Sequence, residues 1–266
     1  MEPPSNGASA TSVEPPSNGA SAPRRISLLG VPIDDVTRAG MLDRVATLVE
    51  RGRAGSPATV AYVNVHVLDV AGRDDALVGF LNAADLVYCD GAGVVLGARL
   101  SGENLTERMT GADWIWDFAA RAEGNWRVFW LGGEPGVTAE AASRLRAKHP
   151  RLTIEADHGF HTDLAPLIAR INAFQPDILL VGMGTPTQEA WVARWRGALD
   201  APVVWVLGAT HDFVAGRVSR GPEWLHQRQE WLARLWVDPK RLWRRYLLGN
   251  GRFFLRVLKA RRAPRP

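Results

Sequence analysis

The chain has 266 residues, 46% of them apolar, enough to bury one large domain or a domain with an appendage. Its single cysteine, Cys89, excludes an internal disulfide framework and a cysteine-rich zinc site, and no apolar run approaches the ~18 residues of a spanning helix. The net charge of +4 is unevenly placed: residues 224–266 carry twelve Lys and Arg against two acids, which leaves residues 1–223 at −6.

In chain order, the nine residues EPPSNGASA at 2–10 recur at 14–22. Such a Pro, Ser, Gly, Asn and Ala repeat has little to bury, so residues 1–24 are predicted to be a disordered tail. From Arg25 onward, predicted strands at 26–31, 58–65, 85–89, 126–131, 152–156, 177–182 and 202–207 alternate with predicted helices at 37–52, 74–83, 92–100, 112–122, 136–148, 163–174 and 187–197. Several strand runs are apolar on successive residues, which suits parallel strands covered on both sides. Residues 25–223 therefore read as an α/β core: an open, mostly parallel Rossmann-like sheet with helices on both faces. Residues 224–266 read as a basic helical appendage. Asp238-Pro239 marks a stop and restart, and Trp224, Trp231, Leu235, Leu242, Trp243 and Tyr246 recur near helical spacing with arginines between them. A basic, Trp-rich end on an acidic body suits contact with a polyanion: anionic lipid, a diphosphate or nucleic acid. With no secretory pattern at the N-terminus, the chain is expected in the cytoplasm, meeting the inner membrane peripherally.

Ligands of open α/β sheets sit beyond the carboxyl ends of the strands. The segments expected there are Asn64-Val65-His66, Asp90-Gly91-Ala92-Gly93, Gly132-Gly133, Gly182 through Glu189 and Gly208 through Phe213, with Glu107 through Asp113 opening a further helix. Glycines at strand ends let backbone N–H groups approach a phosphate, and the helix that follows favours negative charge. Local chemistry also allows simple capping: Asp90 as an N-cap, Thr110-x-x-Asp113 and Thr185-x-x-Gln188 as capping boxes, and Pro186 at a first helical position. Asp90 stands out as a lone carboxylate in a glycine-opened turn, where it can act as a general base on a hydroxyl within reach. Gly91-x-Gly93-x-x-x-Gly97 misses the dinucleotide spacing, and no P-loop occurs. His158 and His161 are the one close histidine pair and read as loop residues rather than a metal site. There is also no D-x-D, so no metal and no cofactor are expected.

Several blocks together resemble the WecG/TagA/CpsF family, glycosyltransferase family 26. They are N-V-H at 64–66, A-D-L-V-Y-C-D-G-A-G-V-V at 84–95, E-R-M-T-G-A-D at 107–113, L-G-G-E-P-G-V at 131–137 and D-I-L-L-V-G-M-G-T-P-T-Q-E-A-W at 177–191, followed by H-D-F-V-A-G-R-V-S-R-G-P-E-W at 211–224 and E-W-L-A-R-L-W-V-D-P-K-R-L-W-R-R-Y at 230–246. The resemblance covers about residues 26–248. It implies an inverting, metal-independent transfer of an N-acetylmannosamine, its uronic acid or a glucose-type sugar. The sugar would pass from a UDP-sugar to an undecaprenyl-diphosphate-linked sugar, in cell-surface polysaccharide or teichoic-acid-type biosynthesis. Asp90 would be the catalytic residue, Gln188 would serve the substrate, and Arg234, Arg241 and Arg244 would fold over the site when the end of the chain meets the anionic inner-membrane surface. Asn64, Arg108, Thr110, Asp113, Gly132, Gly184, Glu189 and Asp212 complete the expected substrate contacts. Tyr62, Thr187 and His211 stand where the family more often carries Thr, a basic residue and Phe.

Two other classes stay open on the residues alone. A nucleic-acid-binding protein would use the basic tail, although the acidic body argues against it and no nucleic-acid partner is expected. A nucleotide-dependent oxidoreductase would use the same sheet. The subunit number stays open between a monomer and a homo-oligomer.

Overall fold

The computed structural model describes residues 23–218 and 249–262. The repeat-bearing tail and the segment holding Arg234, Arg241 and Arg244 lie outside the described residues. The body opens with a hairpin, β1 (Arg25–Leu28) and β2 (Val31–Asp34), where one strand over 26–31 is predicted. Leu29 (φ 56°) and Gly30 (φ 83°) are both left-handed, the two-residue turn whose twist matches paired strands. Leucine at such a position gives no turn signal, which hides the hairpin. Arg24, placed in the tail by sequence, bonds Asp35 and Glu103 and so belongs to the body.

The chain then alternates through α1 (Arg38–Arg53), β3 (Ala58–Val63), α2 (Val65–Ala71), α3 (Asp75–Ala83), β4 (Leu86–Cys89), α4 (Ala92–Leu100) and α5 (Gly111–Ala122). It continues through β5 (Arg127–Gly132), α6 (Val137–Lys148), β6 (Thr153–Asp157), α7 (Ala165–Phe174), β7 (Ile178–Gly182), α8 (Thr187–Trp195), β8 (Val203–Val206) and α9 (Thr210–Val214), and resumes at α10 (Asn250–Arg262). α1 starts where Thr37 accepts a bond from Gly40 N–H, and α3 where Asp74 accepts from Leu77 N–H. The short α2 and α9 are absent from the predicted elements; seven and five residues give too few turns for a helical period to show.

The sheet order is β1-β2-β4-β3-β8-β7-β5-β6, parallel apart from the hairpin. Every residue of β2, β4, β7 and β8 is buried. Successive strand residues point to opposite faces, so both faces are covered, as the apolar runs predict. Packed between β4, α5 and β8, Trp114 stacks on Trp205 at 4.3 Å while Tyr88 and Phe118 meet Trp205 edge-on. Such aromatic pairs contribute about 1 kcal/mol each beyond the area they bury. The chain completes β2 to β4 on one half of the sheet and then crosses to the other, which makes the β3–β8 junction the switch point where a ligand crevice opens.

Candidate active site

Asp90 follows the last residue of β4 and is stitched in from both sides. Its N–H bonds the Val63 carbonyl at 2.8 Å, and Gly91 N–H bonds the Met109 carbonyl at 2.8 Å. Gly91 (φ 94°), not Asp90, occupies the N-cap of α4, so the carboxylate is not spent on capping. It accepts instead from Asn64 Nδ2 at 3.2 Å, while Asn64 Oδ1 caps α2 by accepting from Val67 N–H at 3.0 Å. One amide thus follows β3, caps α2 and holds one oxygen of the Asp90 carboxylate.

A cavity of about 160 Å³ opens over this carboxylate at the β3–β8 junction. Tyr62, Asn64, His66, Tyr88 and Asp90 form one side; Gly184, Thr185, Gly208, Thr210 and Phe213 form another, and Gly111 and Ala112 of α5 bring a helix N-terminus to it. Burial, reinforced by the Asp90 charge, holds the Tyr88 hydroxyl well above its ordinary range. The Cys89 thiol is pushed up to about 12, by burial first and then by Asp90 and Asp35, with the Arg108 charge among the opposing influences. A second cavity of about 340 Å³ shares Ala112 and Phe213 with the first and is lined also by Arg38, Asp113, Trp116 and Val214.

Of the expected contacts, Asn64, Asp90 and Gly184 are walls of the Asp90 cavity. Asp113 faces the second cavity, and Thr110 reaches it by donating its hydroxyl to Asp113 Oδ2 at 2.7 Å instead of capping α5. Gln188 stands behind the wall, 0% exposed: its Oε1 accepts from Gly208 N–H at 3.1 Å and its Nε2 donates to Glu189 Oε1 at 2.8 Å. Its place in this geometry is to hold Gly208. Glu189 likewise accepts from the Thr185 hydroxyl at 2.8 Å, and burial raises its carboxyl above the ordinary range. Arg108 and Asp212 do not line either cavity. His66 and Thr210 fall in segments expected at this rim, whereas Tyr88 and Trp116 are walls that sequence reasoning missed; only the assembled sheet brings them there.

The β5–β7 side of the rim is filled. A Cβ on Gly132 would stand 2.1 Å from the Gly182 carbonyl oxygen, and Cβ atoms on Gly133 and Gly182 would press on the His211 ring at 2.7 and 2.8 Å. His211 is buried, with no hydrogen-bond partner for Nδ1; burial lowers its pKa, and the Asp212 carboxylate opposes that shift only in part. Gly93 serves packing too: a Cβ there would lie 2.4 Å from Val65 Cγ2, which accounts for the glycine spacing without a dinucleotide. At the end of β6, Asp157, His158 and His161 bring donor atoms within 4.8 Å of one another. The two rings are parallel at 4.0 Å, so their in-plane lone pairs do not converge on one ion. Phe160 N–H already bonds His158 Nδ1, and Arg170 bonds Asp157 at 2.6 Å. The trio anchors its loop.

A model of the glycosyl transferase WecG/TagA/CpsF family matches residues 26–266. Among curated relatives, the N-acetylglucosaminyldiphosphoundecaprenol N-acetyl-beta-D-mannosaminyltransferases of Staphylococcus aureus strains COL and MW2 are each 28% identical over 242 residues, which span 90% of this chain and 94% of theirs.

Proposed function

This chain belongs to the WecG/TagA/CpsF glycosyltransferase family, and from that premise we propose that it transfers an N-acetylmannosamine-type sugar from a UDP-sugar to an N-acetylglucosaminyl diphosphate carried on a polyprenol. The observation that carries this reading is the Asp90 carboxylate, set by Asn64 in a cavity at the sheet's switch point. The acceptor hydroxyl attacks the anomeric carbon as the bond to UDP breaks, and its proton passes to Asp90. A positioned base supplies ~10²–10⁴ in rate. One displacement inverts the anomeric centre, in keeping with the beta product in the relatives' name.

Charge gathers on the departing diphosphate. The reading assigns its neutralisation to the first turn of α5, Arg108 and the arginines at 234, 241 and 244, because a guanidinium binds phosphate oxygens in pairs. The reading takes this transfer to run without a metal, as the family resemblance implies.

The chain would work on a cytoplasmic membrane face. No described helix is long and apolar enough to cross a bilayer. Among the described residues, the exposed large apolar side chains are Leu96, Phe160, Leu255 and Leu258. Three of these lie on α10 and on α4, which packs against it, and α10 also carries the exposed Lys259 and Arg261. Each such cation contributes about 1 kcal/mol near anionic lipid.

Asp90→Asn is expected to fold normally and to lose at least ~100-fold in turnover. The check is mass spectrometry of products from a panel of UDP-sugars with a short-chain polyprenyl-diphosphate-GlcNAc acceptor. Near-parental turnover by the variant would remove Asp90 from the chemistry.

A further inference from the structure

The two helices that flank Asp90 share a partner far along the chain. α2 starts at Asn64, which donates to the Asp90 carboxylate, and α4 starts two residues after Asp90. α10 packs across both. Its fully buried Phe253 occupies the notch left by Gly97 of α4, where a Cβ would stand 2.5 Å from the ring. Arg252 grips Asp69 of α2 with both arms, Nε to Oδ1 at 3.0 Å and Nη2 to Oδ2 at 2.6 Å. Arg256 donates to the Leu68 carbonyl at 2.9 Å, its guanidinium lying over Gly72.

Asp69 is 4% exposed, an unusual setting for a carboxylate in a seven-residue helix. Burial alone would raise its pKa; the Arg252 hydrogen bonds, with the charges of Arg73, Arg252 and His66, bring it below the ordinary range instead. His66, one turn earlier, is itself a wall of the Asp90 cavity. A two-armed guanidinium–carboxylate pair fixes orientation as well as distance. The grip therefore ties α2, with Asn64 at its start, to α10, while Phe253 ties α10 to the middle of α4, the helix that follows the Asp90 turn.

We infer that α10 is a clamp on the catalytic carboxylate, with Asp69 and Arg252 as positioning residues for the transfer reaction. The inference rests on the reading of Asp90 as the base. Arg252→Met in the full chain keeps most of the stem and removes the fork. With a soluble short-chain acceptor, so that lipid recruitment does not enter, kcat is expected to fall roughly five- to thirtyfold. The donor KM should stay within about twofold, since the loss falls on transition-state geometry and not on binding. Melting should fall only modestly, because Arg73 Nη2 still donates to Asp69 Oδ2 at 2.9 Å, and amide exchange should quicken in the first turns of α2 and α4. Parental kcat with parental exchange overturns the clamp, and so does a kcat loss that only tracks the unfolded fraction. Should the methionine variant fail to fold, Arg252→Lys decides. It keeps the charge and loses the fork, so reduced kcat at unchanged melting supports the clamp and parental kcat defeats it. Asp90→Asn run alongside separates the two readings. Activity there sinks the base itself, whereas an inactive Asp90→Asn beside a fully active Arg252→Met sinks only the clamp.

Discussion

The two halves of the sheet's carboxyl rim are built from the same residue types and end differently. Beyond β3, β4 and β8, Gly208 borders an open cavity with Asp90 on its wall, which Gly184 of the β7–α8 loop reaches from the side. Beyond β5 and β7, Gly132, Gly133 and Gly182 let backbone meet backbone, and His211 fills what space remains. A strand-end glycine announces close approach. Whether open space or packed protein lies opposite it is decided by residues elsewhere: Gln188 holding Gly208 back on one side, His211 wedged in on the other.

That contrast can be broken or sharpened by substitution. The largest effect is expected from Gly132→Ala, whose added methyl meets the Gly182 carbonyl oxygen at 2.1 Å; it should cost about 3 kcal/mol in urea unfolding, with the folded fraction retaining its donor KM. A shifted KM would mean that the filled half also handles substrate. At the open half, Asn64→Ala removes the α2 cap, about 1 kcal/mol. It also removes the Asn64 hold on the Asp90 carboxylate, so kcat is expected to drop about tenfold, an indirect share of what a positioned base supplies. Pre-steady-state turnover checks this, and a stability loss without any rate loss would detach Asn64 from the chemistry.

The smallest effect is expected from His211→Phe, which deletes an unpartnered buried nitrogen and should stabilise the fold by about 1 kcal/mol. It carries a pH signature as well. Burial depresses the folded pKa of His211 below its ordinary 6.5, so the unfolded chain takes up this proton first as pH falls through 6.5. Parental stability is therefore lost from about pH 6.5 downward, and the phenylalanine variant should lose less of it. Urea titrations at pH 7 and 5.5 compare the two; equal losses would remove His211 from the acid response.

Much of the architecture is legible in sequence because parallel strands buried on both sides leave apolar runs that helical patterns interrupt. The hairpin at Leu29-Gly30 is not, since its left-handed leucine carries no turn signal. Asp90 is legible as a lone acid at a strand end. The inward role of Gln188 is not, because its partner Gly208 lies 20 residues away and meets it only across adjacent strands. Thr110 and Asp113 show the limit of local patterns: their spacing reads as a cap, yet in the fold the hydroxyl serves the carboxylate. The grip of Arg252 on Asp69 spans 183 residues, beyond any periodic signal.

Cys89 adjoins the Asp90 turn directly and is the chain's single sulfhydryl. Alkylating reagents consume the thiolate, and this group stays protonated up to about 12. In the native protein such labels should find nothing to react with. Modification would be rationed by how often the end of β4 comes apart, giving each molecule a built-in, one-atom chronometer of breathing beside Asp90.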